Sequence, residues 1–463
     1  MDKSLQLERI IAIISVGIGV ISFIASNASL SWRICILSII AAITFLALLI
    51  VEILSHKHRS QNAIPPIHMI SPNSGIKRVL SRDESPLEDK RKLVELIKHS
   101  ENITLIGTGL TNLSRLLEDK DFRCDLKDAI IKGNLRIEIF IIDPSYESYL
   151  TLRAKELDNE TFRVKEKNLN AFDKIMGLKA ECLKSDLTNS ELKKVMDNLI
   201  VGTYKSIPRV AFLKFDDCIY IRPYVGVGRG GDSPFLLELD NGNNQAYSAY
   251  PIFMSEIDRI RRCATERFIK ATNSKLQVEY NEHREVIHRC AFLHDTLHLI
   301  CYDRTGDVYL QLRSNAKGRN PLCWTSTVSG HIEVQDGKDY TKAMKREAEE
   351  ELDERTYSLI SKETLLGSTL IESSGEIKSG EFKWKHVCRS NSFIFSALLD
   401  CDGLNDQKSV GSNEVLKLCK FPVDRIKASI ASEGTLVDDL GIAYRLADNF
   451  ASVFEFYLEK HSL

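Results

Sequence analysis

GHIEVQDGKDYTKAMKREAEEELDE, residues 330–354, sets a Gly-His turn ahead of a segment in which six of the last eight residues are acidic. Tyr340, Ala343, Met344, Ala348 and Leu352 recur with the period of a helix that buries one side, so 340–360 reads as a helix. Its other side carries Glu347, Glu350 and Glu351 at i, i+3 and i+4, with Glu354 one turn further along. Carboxylates gathered this closely repel by roughly a few tenths of a kcal/mol per pair on a bare helix. A hard divalent cation, Mg²⁺ or Mn²⁺, would offset that repulsion and keep positions open for phosphate oxygens. Arg346, next to the first glutamate, has the planar donor set that pins a carboxylate. An isolated E-x-x-E-E is more often a solvated acidic face, so its surroundings decide.

Those surroundings are ordered. VIHRCAFLHD, TLHLICYD and DVYLQLRS, between 286 and 314, alternate apolar and polar residues and predict an antiparallel meander. A basic loop with Arg313, Lys317 and Arg319 follows, closed by Trp324, and TSTVSGHIEV then reads as a strand that ends at Gly330. A meander, Q-L-R-S, a basic loop, Trp324, a strand, G-H-I-E and A-M-K-R-E-A-E-E-E-L in this order resemble the Nudix hydrolase domain. Gly330 matches the opening glycine of its signature, Arg346 and Glu347 the R-E pair, Ala348 the aliphatic slot, and Glu350 and Glu351 the metal-binding pair. The resemblance covers about 285–425 and implies an α/β/α sandwich around a mixed sheet.

The same resemblance implies a Mg²⁺- or Mn²⁺-dependent phosphohydrolase acting on a nucleoside diphosphate linked to another group. Glu347, Glu350 and Glu351 would hold the metal, and Glu351 or Glu414, the latter like the family's later glutamate, would take a proton from water, with Arg346 as a further catalytic residue. Arg313, Lys317, Arg319 and Gly330 would receive the substrate. The pattern also departs from the family. Gly330 stands 16 residues before Arg346, a longer loop than the family's, and Lys338 takes the place of an acidic residue for which only Asp336 or Glu333 is near enough to substitute. Asp353 and Glu354 replace the closing glycine and aliphatic residue. These departures keep open a second reading, a nucleotide receptor without turnover. Val328-Ser329-Gly330 stands where the isomerase subgroup has a cysteine, which disfavours isomerisation.

The preceding region, 85–276, alternates strands and helices and predicts an α/β domain. EDKRKLVELIKHS, NSELKKVMDNLI and SEIDRIRRCATERFIKA read as helices, ITLIGTGL and LRIEIFIID as strands, and VAFLKFD with CIYIRPYV as a hairpin. IKGNLRIEIFIIDP and PFLLEL weakly resemble phospholipase-D-like domains, without the paired H-x-K-x-x-x-x-D signatures that their chemistry needs, so a sensing role is expected. GTG at 107–109 and GVGRGG at 226–231 fit no complete phosphate-loop pattern and read as turns.

Further upstream, 10–32 and 34–51 are free of charge on either side of Arg33. Each run is long enough to cross a hydrocarbon core of about 30 Å. With basic residues on both flanks, these runs predict a two-helix hairpin in the inner membrane, both chain ends in the cytoplasm. The expected organisation is a transmembrane hairpin at 1–60, a linker at 61–84, the α/β domain at 85–276 and the Nudix-like domain at 277–463. That order is similar to membrane-Nudix effectors of bacterial cyclic-oligonucleotide antiphage systems. It implies the lipid bilayer as a partner, a cyclic nucleotide from a partner synthase as activator, and self-association.

Composition is consistent with this multidomain α/β reading. A chain of 463 residues exceeds what one core organises. Its 62 basic and 64 acidic residues leave a net charge of −2, which argues against a nucleic acid polymer as partner. The 11 cysteines are scattered, without a C-x-x-C pair, which speaks against a disulfide framework or a zinc knuckle.

Overall fold

Two sheets organise the residues that the computed structural model describes, which are 74–461 apart from 82–88, 109, 157–160, 185, 209, 225–232, 234, 242–247, 274–277, 316–318, 338, 380–381, 400–413 and 433. The first contains β1 (Ile76–Ser81), β2 (Asn102–Gly107), β3 (Arg136–Ile142), β4 (Leu199–Tyr204), β5 (Val210–Phe215), β6 (Cys218–Pro223) and β7 (Phe235–Asp240) in the order β1-β7-β6-β5-β2-β3-β4. β2, β3 and β4 run parallel, and the others pair antiparallel. The nearly unbroken apolar runs of β2 and β3 suit strands covered on both faces, and Ile103, Ile106, Ile137, Ile139, Phe140 and Ile141 are buried.

The expected helices form at α1 (Lys90–His99) and α4 (Asn189–Asn198), the one expected over 255–271 ends at Thr265 in α5 (Ala249–Thr265) and runs on into a strand from Ile269, and α2 (Lys120–Lys132) and α3 (Thr161–Lys184) supply further crossover helices. Asp89 caps α1 by accepting from Arg91 and Lys92 N–H, and Thr188 with Glu191 forms a capping box on α4.

The second sheet runs from β8 (Ile269–Asn273) and β9 (Val278–Glu282) through β10 (Leu293–Tyr302), β11 (Val308–Arg313), β12 (Cys323–Thr325), β13 (Val328–His331), β14 (Ile360–Ser379), β15 (Phe382–Leu399), β16 (Val415–Phe421) and β17 (Thr435–Val437) to β18 (Ala443–Leu446). β10 is its organiser: it pairs parallel with β15 and antiparallel with β11, β13 and β8. Helix α7 (Tyr340–Glu351) packs Ala343, Met344 and Ala348 on one face of this sheet with Leu297, Leu299 and Phe395. Helix α8 (Phe450–His461) packs Phe450, Val453, Phe454 and Tyr457 on the other with Ile300, Leu310 and Ile394. Trp324 is fully buried on that side, and its Nε1–H donates to Leu436 O at 3.3 Å.

Three expectations need correction. The first segment of the anticipated meander is a helix, α6 (Arg284–Cys290), because His283 caps it, Val286 and Ile287 sink into the apolar cluster of the first sheet, and Ala291 ends it in the left-handed region at φ 56°. The single helix anticipated over 340–360 breaks at Leu352, extended at φ −103° and ψ 156°, and restarts as a short turn over Glu354–Ser358 capped by Asp353. Glu354 therefore leaves the helix that carries the other glutamates. Finally, among the described residues no helix is long and apolar enough to cross a membrane, so the multi-pass inner-membrane placement is withdrawn. The apolar runs on which that placement rested, within 10–51, lie outside the described residues.

A buried ion pair ties the two sheets together. Lys179 of α3 reaches Glu282 at the end of β9 at 3.2 Å, with 2% and 3% of the two side chains exposed. Lys179 Nζ also donates to the carbonyls of Val195 and Leu199, so the ammonium is satisfied on three sides.

Candidate functional site

The turn from β13 into α7 is built around one guanidinium. Arg346 Nε and Nη2 donate to Asp336 Oδ1 and Oδ2 at 3.0 and 2.8 Å, a bidentate pair with a carboxylate that is completely buried. Nη2 also donates to the carbonyl of His331 at 2.9 Å, and Nη1 to Glu347 Oε1 at 2.9 Å and Glu350 Oε1 at 3.2 Å. One side chain thus fixes the loop that precedes the helix and two of the helix glutamates. Burial works against its charge, but the hydrogen bond to Asp336 and the charges of Glu347 and Glu333 outweigh it and raise the Arg346 pKa.

Gly330 is held to glycine by its neighbour. A Cβ there would lie 2.0 Å from Glu347 Cδ and 2.3 and 2.4 Å from its two carboxylate oxygens. The carboxylate therefore lies directly against the backbone of β13, where only an absent side chain leaves room. Glu351 stands deeper, with its Oε2 accepting from Gln311 Nε2 at 3.1 Å and from Ser329 N–H at 3.0 Å. Glu350 is the outermost of the three, its side chain 47% exposed. Burial, opposed by Arg346 and reinforced by Glu351 and Glu350, pushes the Glu347 carboxyl up to about 8.

The remaining sequence-derived residues divide. Glu414 accepts from Ser314 N–H through its backbone carbonyl, and its carboxylate acts on both Arg313 and Arg284. Arg313 donates to the carbonyl of Arg319 at 3.4 and 3.3 Å and feels the charges of Glu351 and Glu414. Arg319 is turned elsewhere, to His386 Nε2 at 2.6 Å and Ser373 Oγ at 2.5 Å. Lys317 and Lys338 lie outside the described residues. Of the two acids considered as substitutes at the missing position, Asp336 is committed to Arg346, whereas Glu333 stands 3.6 Å from Arg267 and 3.9 Å from Arg346.

Sequence reasoning missed two cations. Arg267, just past α5, lies 4.0 Å from Glu350 as well as near Glu333. Arg284, the first residue of α6, is exposed and yet lies in the fields of Asp143, at the carboxyl end of β3, and of Glu414, Glu285 and Glu347. Both come from segments distant in sequence from the acidic helix, so no local pattern announces them. Gln311 and the Ser329 N–H, which orient Glu351, were equally silent, although Gln311 lies in the Q-L-R-S stretch already singled out.

Chemically, Glu347 and Glu350 share the Arg346 guanidinium, and the charge of Glu351 bears on Glu347, with Arg267 and Arg284 near the cluster. This donor set matches a hard divalent cation: oxygen ligands, partial exposure on one side, and a surplus of negative charge that burial makes costly.

No protein-family model and no curated protein matches the chain. Among solved structures, DR0079 from Deinococcus radiodurans is similar over 41% of this chain and 97% of its own, at 17% identity and a TM-score of 0.29. A MutT protein from Methanosarcina mazei Go1 is similar over 37% of this chain and 96% of its own, at 14% identity and a TM-score of 0.24. An Ap4A hydrolase from C. elegans is similar over 36% and 97%, at 16% identity and a TM-score of 0.20. Likenesses this slight leave the reading of the site to its own geometry.

Proposed function

We propose that the second sheet and its helices form a Nudix-type phosphohydrolase that uses Mg²⁺ or Mn²⁺ to cleave a nucleoside diphosphate linked to another group. The observation that carries this reading is the fit of the Glu347 carboxylate into the space of the missing Gly330 side chain, with Arg346 bridging Glu347, Glu350 and Asp336. A divalent cation on Glu347, Glu350 and Glu351 would neutralise diphosphate oxygens and make a bound water more acidic.

The protein's own groups have distinct tasks in this scheme. Gln311 and the Ser329 N–H orient Glu351 and keep it a ligand, so the proton acceptor is better sought in Glu414, half-buried at the rim. Arg284 and Arg267 face the acidic cluster from outside it and suit the charge that develops on a departing phosphoryl group. The antiphage-effector reading depended on a membrane output and is not carried further.

Incubating the full chain with Mg²⁺ and a panel of nucleoside-diphosphate-linked compounds, beside Glu347→Gln, tests the proposal. Turnover that disappears in the variant supports it. Binding of one panel member without turnover by either protein would favour the receptor reading. That second reading has one structural point in its favour: Arg346 Nη1 already offsets two of the three glutamates without any metal.

A further inference from the structure

Four imidazoles and a thiol meet beside the Gly330 turn. His288 of α6, His294 of β10 and Cys388 of β15 each bring one ligand atom to a point where all three lie within 4.8 Å of one another, and all three residues are buried. His331 of β13 borders the group, its Nε2 hydrogen-bonded to His288 Nε2 at 3.2 Å. His294 Nε2 stands 3.8 Å from Cys388 Sγ. In a tetrahedral site with metal–nitrogen bonds of about 2.0 Å and metal–sulfur bonds of about 2.3 Å, ligand atoms are separated by roughly 3.3 to 3.6 Å. The His294–Cys388 separation falls within a few tenths of an ångström of the nitrogen–sulfur edge.

We propose that His288, His294 and Cys388 bind a borderline transition metal ion of the Zn²⁺ class. Binding releases one proton, from the Cys388 thiol, and leaves the imidazoles neutral.

Two further observations support the site independently of the spacing. His294 Nδ1–H donates to the carbonyl of Phe292 at 3.0 Å, the outer hydrogen bond that fixes the tautomer and leaves the Nε2 lone pair facing the thiol. His288 Nε2 is engaged by His331, so its Nδ1, buried and without a hydrogen-bond partner in a residue only 5% exposed, is the nitrogen left to ligate. His386, whose ring centroid is 4.1 Å from that of His288, is excluded as a ligand through Nε2 because Arg319 donates to that atom.

The soft sulfur and the nitrogen donors separate this ion from the oxygen-seeking cation proposed for the carboxylates. Its place makes it a clasp rather than a reaction centre: it would join α6, β10 and β15, next to His331, which bonds His288 and whose carbonyl Arg346 grips at 2.9 Å. This inference does not depend on the proposed hydrolase activity.

Cobalt substitution of the full chain tests it. Chelator-treated protein titrated with Co²⁺ should develop a thiolate-to-cobalt charge-transfer band and intense tetrahedral d–d bands at one ion per chain, and Zn²⁺ should displace them. Cys388→Ser should abolish the charge-transfer band, and His294→Asn should keep it while weakening Co²⁺ binding at least about tenfold. Glu347→Gln should leave the band untouched, since it alters only the carboxylate site. Circular dichroism of each variant shows whether it has folded. A folded wild-type chain without the band, or a band that persists in Cys388→Ser, overturns the proposal.

Discussion

Replacing Gly330 with alanine separates the fold from the site. The new Cβ would lie 2.0 Å from Glu347 Cδ, and an ordinary carbon–carbon contact is about 3.5 Å, so the carboxylate has to move by roughly 1.5 Å. The obstacle is the far end of a flexible side chain rather than backbone, and the glutamate can swing toward solvent. The direct loss to stability is then about that of one hydrogen bond to a charged partner, the 2.9 Å contact from Arg346, or about 1.5 to 3 kcal/mol. The loss to the site is larger, because a misplacement of about 1 Å can cost about 100-fold where geometry must be shared by several ligands. Urea unfolding of Gly330→Ala should therefore show a modestly weakened fold, while Mn²⁺ titration followed by electron paramagnetic resonance should show affinity reduced at least about tenfold. A variant that binds Mn²⁺ as tightly as the parent would refute the idea that Gly330 is reserved for the Glu347 carboxylate.

Three other outcomes follow from the same structure. Arg346→Ala leaves the fully buried Asp336 carboxylate without its partner and should cost about 3 to 5 kcal/mol in urea unfolding, of which Arg346→Lys, lacking the planar fork, recovers only part. Lys179→Met alone should cost a similar amount by stranding Glu282, while the double change Lys179→Met with Glu282→Leu should return most of it; a double variant as unstable as the single one would refute the pairing. For pH dependence, burial, aided by Arg313 for His298 and by Arg284 for His283, lowers these two rings to about 4 and about 3. Groups with depressed folded values favour the native state fully above their unfolded value, about 6.5, and that stability is lost as pH falls below it. Unfolding measured at pH 7 and pH 5 should show about 2 kcal/mol lost per ring, and His298→Asn should flatten the dependence.

Much of the architecture could be read from periodicity. The apolar runs of β2 and β3, the amphipathic α1, the helix in NSELKKVMDNLI and the spacing from Tyr340 to Ala348 all express local physics, and each forms where its pattern places it. Errors arose where tertiary contacts outweighed local pattern. The 286–290 stretch alternates like a strand, yet His283 supplies a cap and Val286 and Ile287 find a core in the preceding sheet, so it coils. Asp353 looked like a continuation of the acidic helix, but its carboxylate accepts from Thr356 N–H and starts a new turn. The acidic cluster was legible because Glu347, Glu350 and Glu351 lie within five residues. Arg267, Arg284 and Gln311 were not, because only the folding of β8, α6 and β11 around β13 brings them there. The histidine–cysteine group is an extreme case: its members, at 288, 294 and 388, are spread over about one hundred residues and come together only where α6 meets the pairing of β10 with β15.

The shared divalent centre is tested most directly by counting Mn²⁺ bound to the full chain, after chelation and with the thiol site filled by Zn²⁺, in the parent and in Glu347→Gln, Glu350→Gln and Glu351→Gln. Tight binding in the parent that weakens in all three variants is the result expected of one shared ligand set. Mn²⁺ that remains free beside the parent chain, or that binds all four proteins equally, would contradict it.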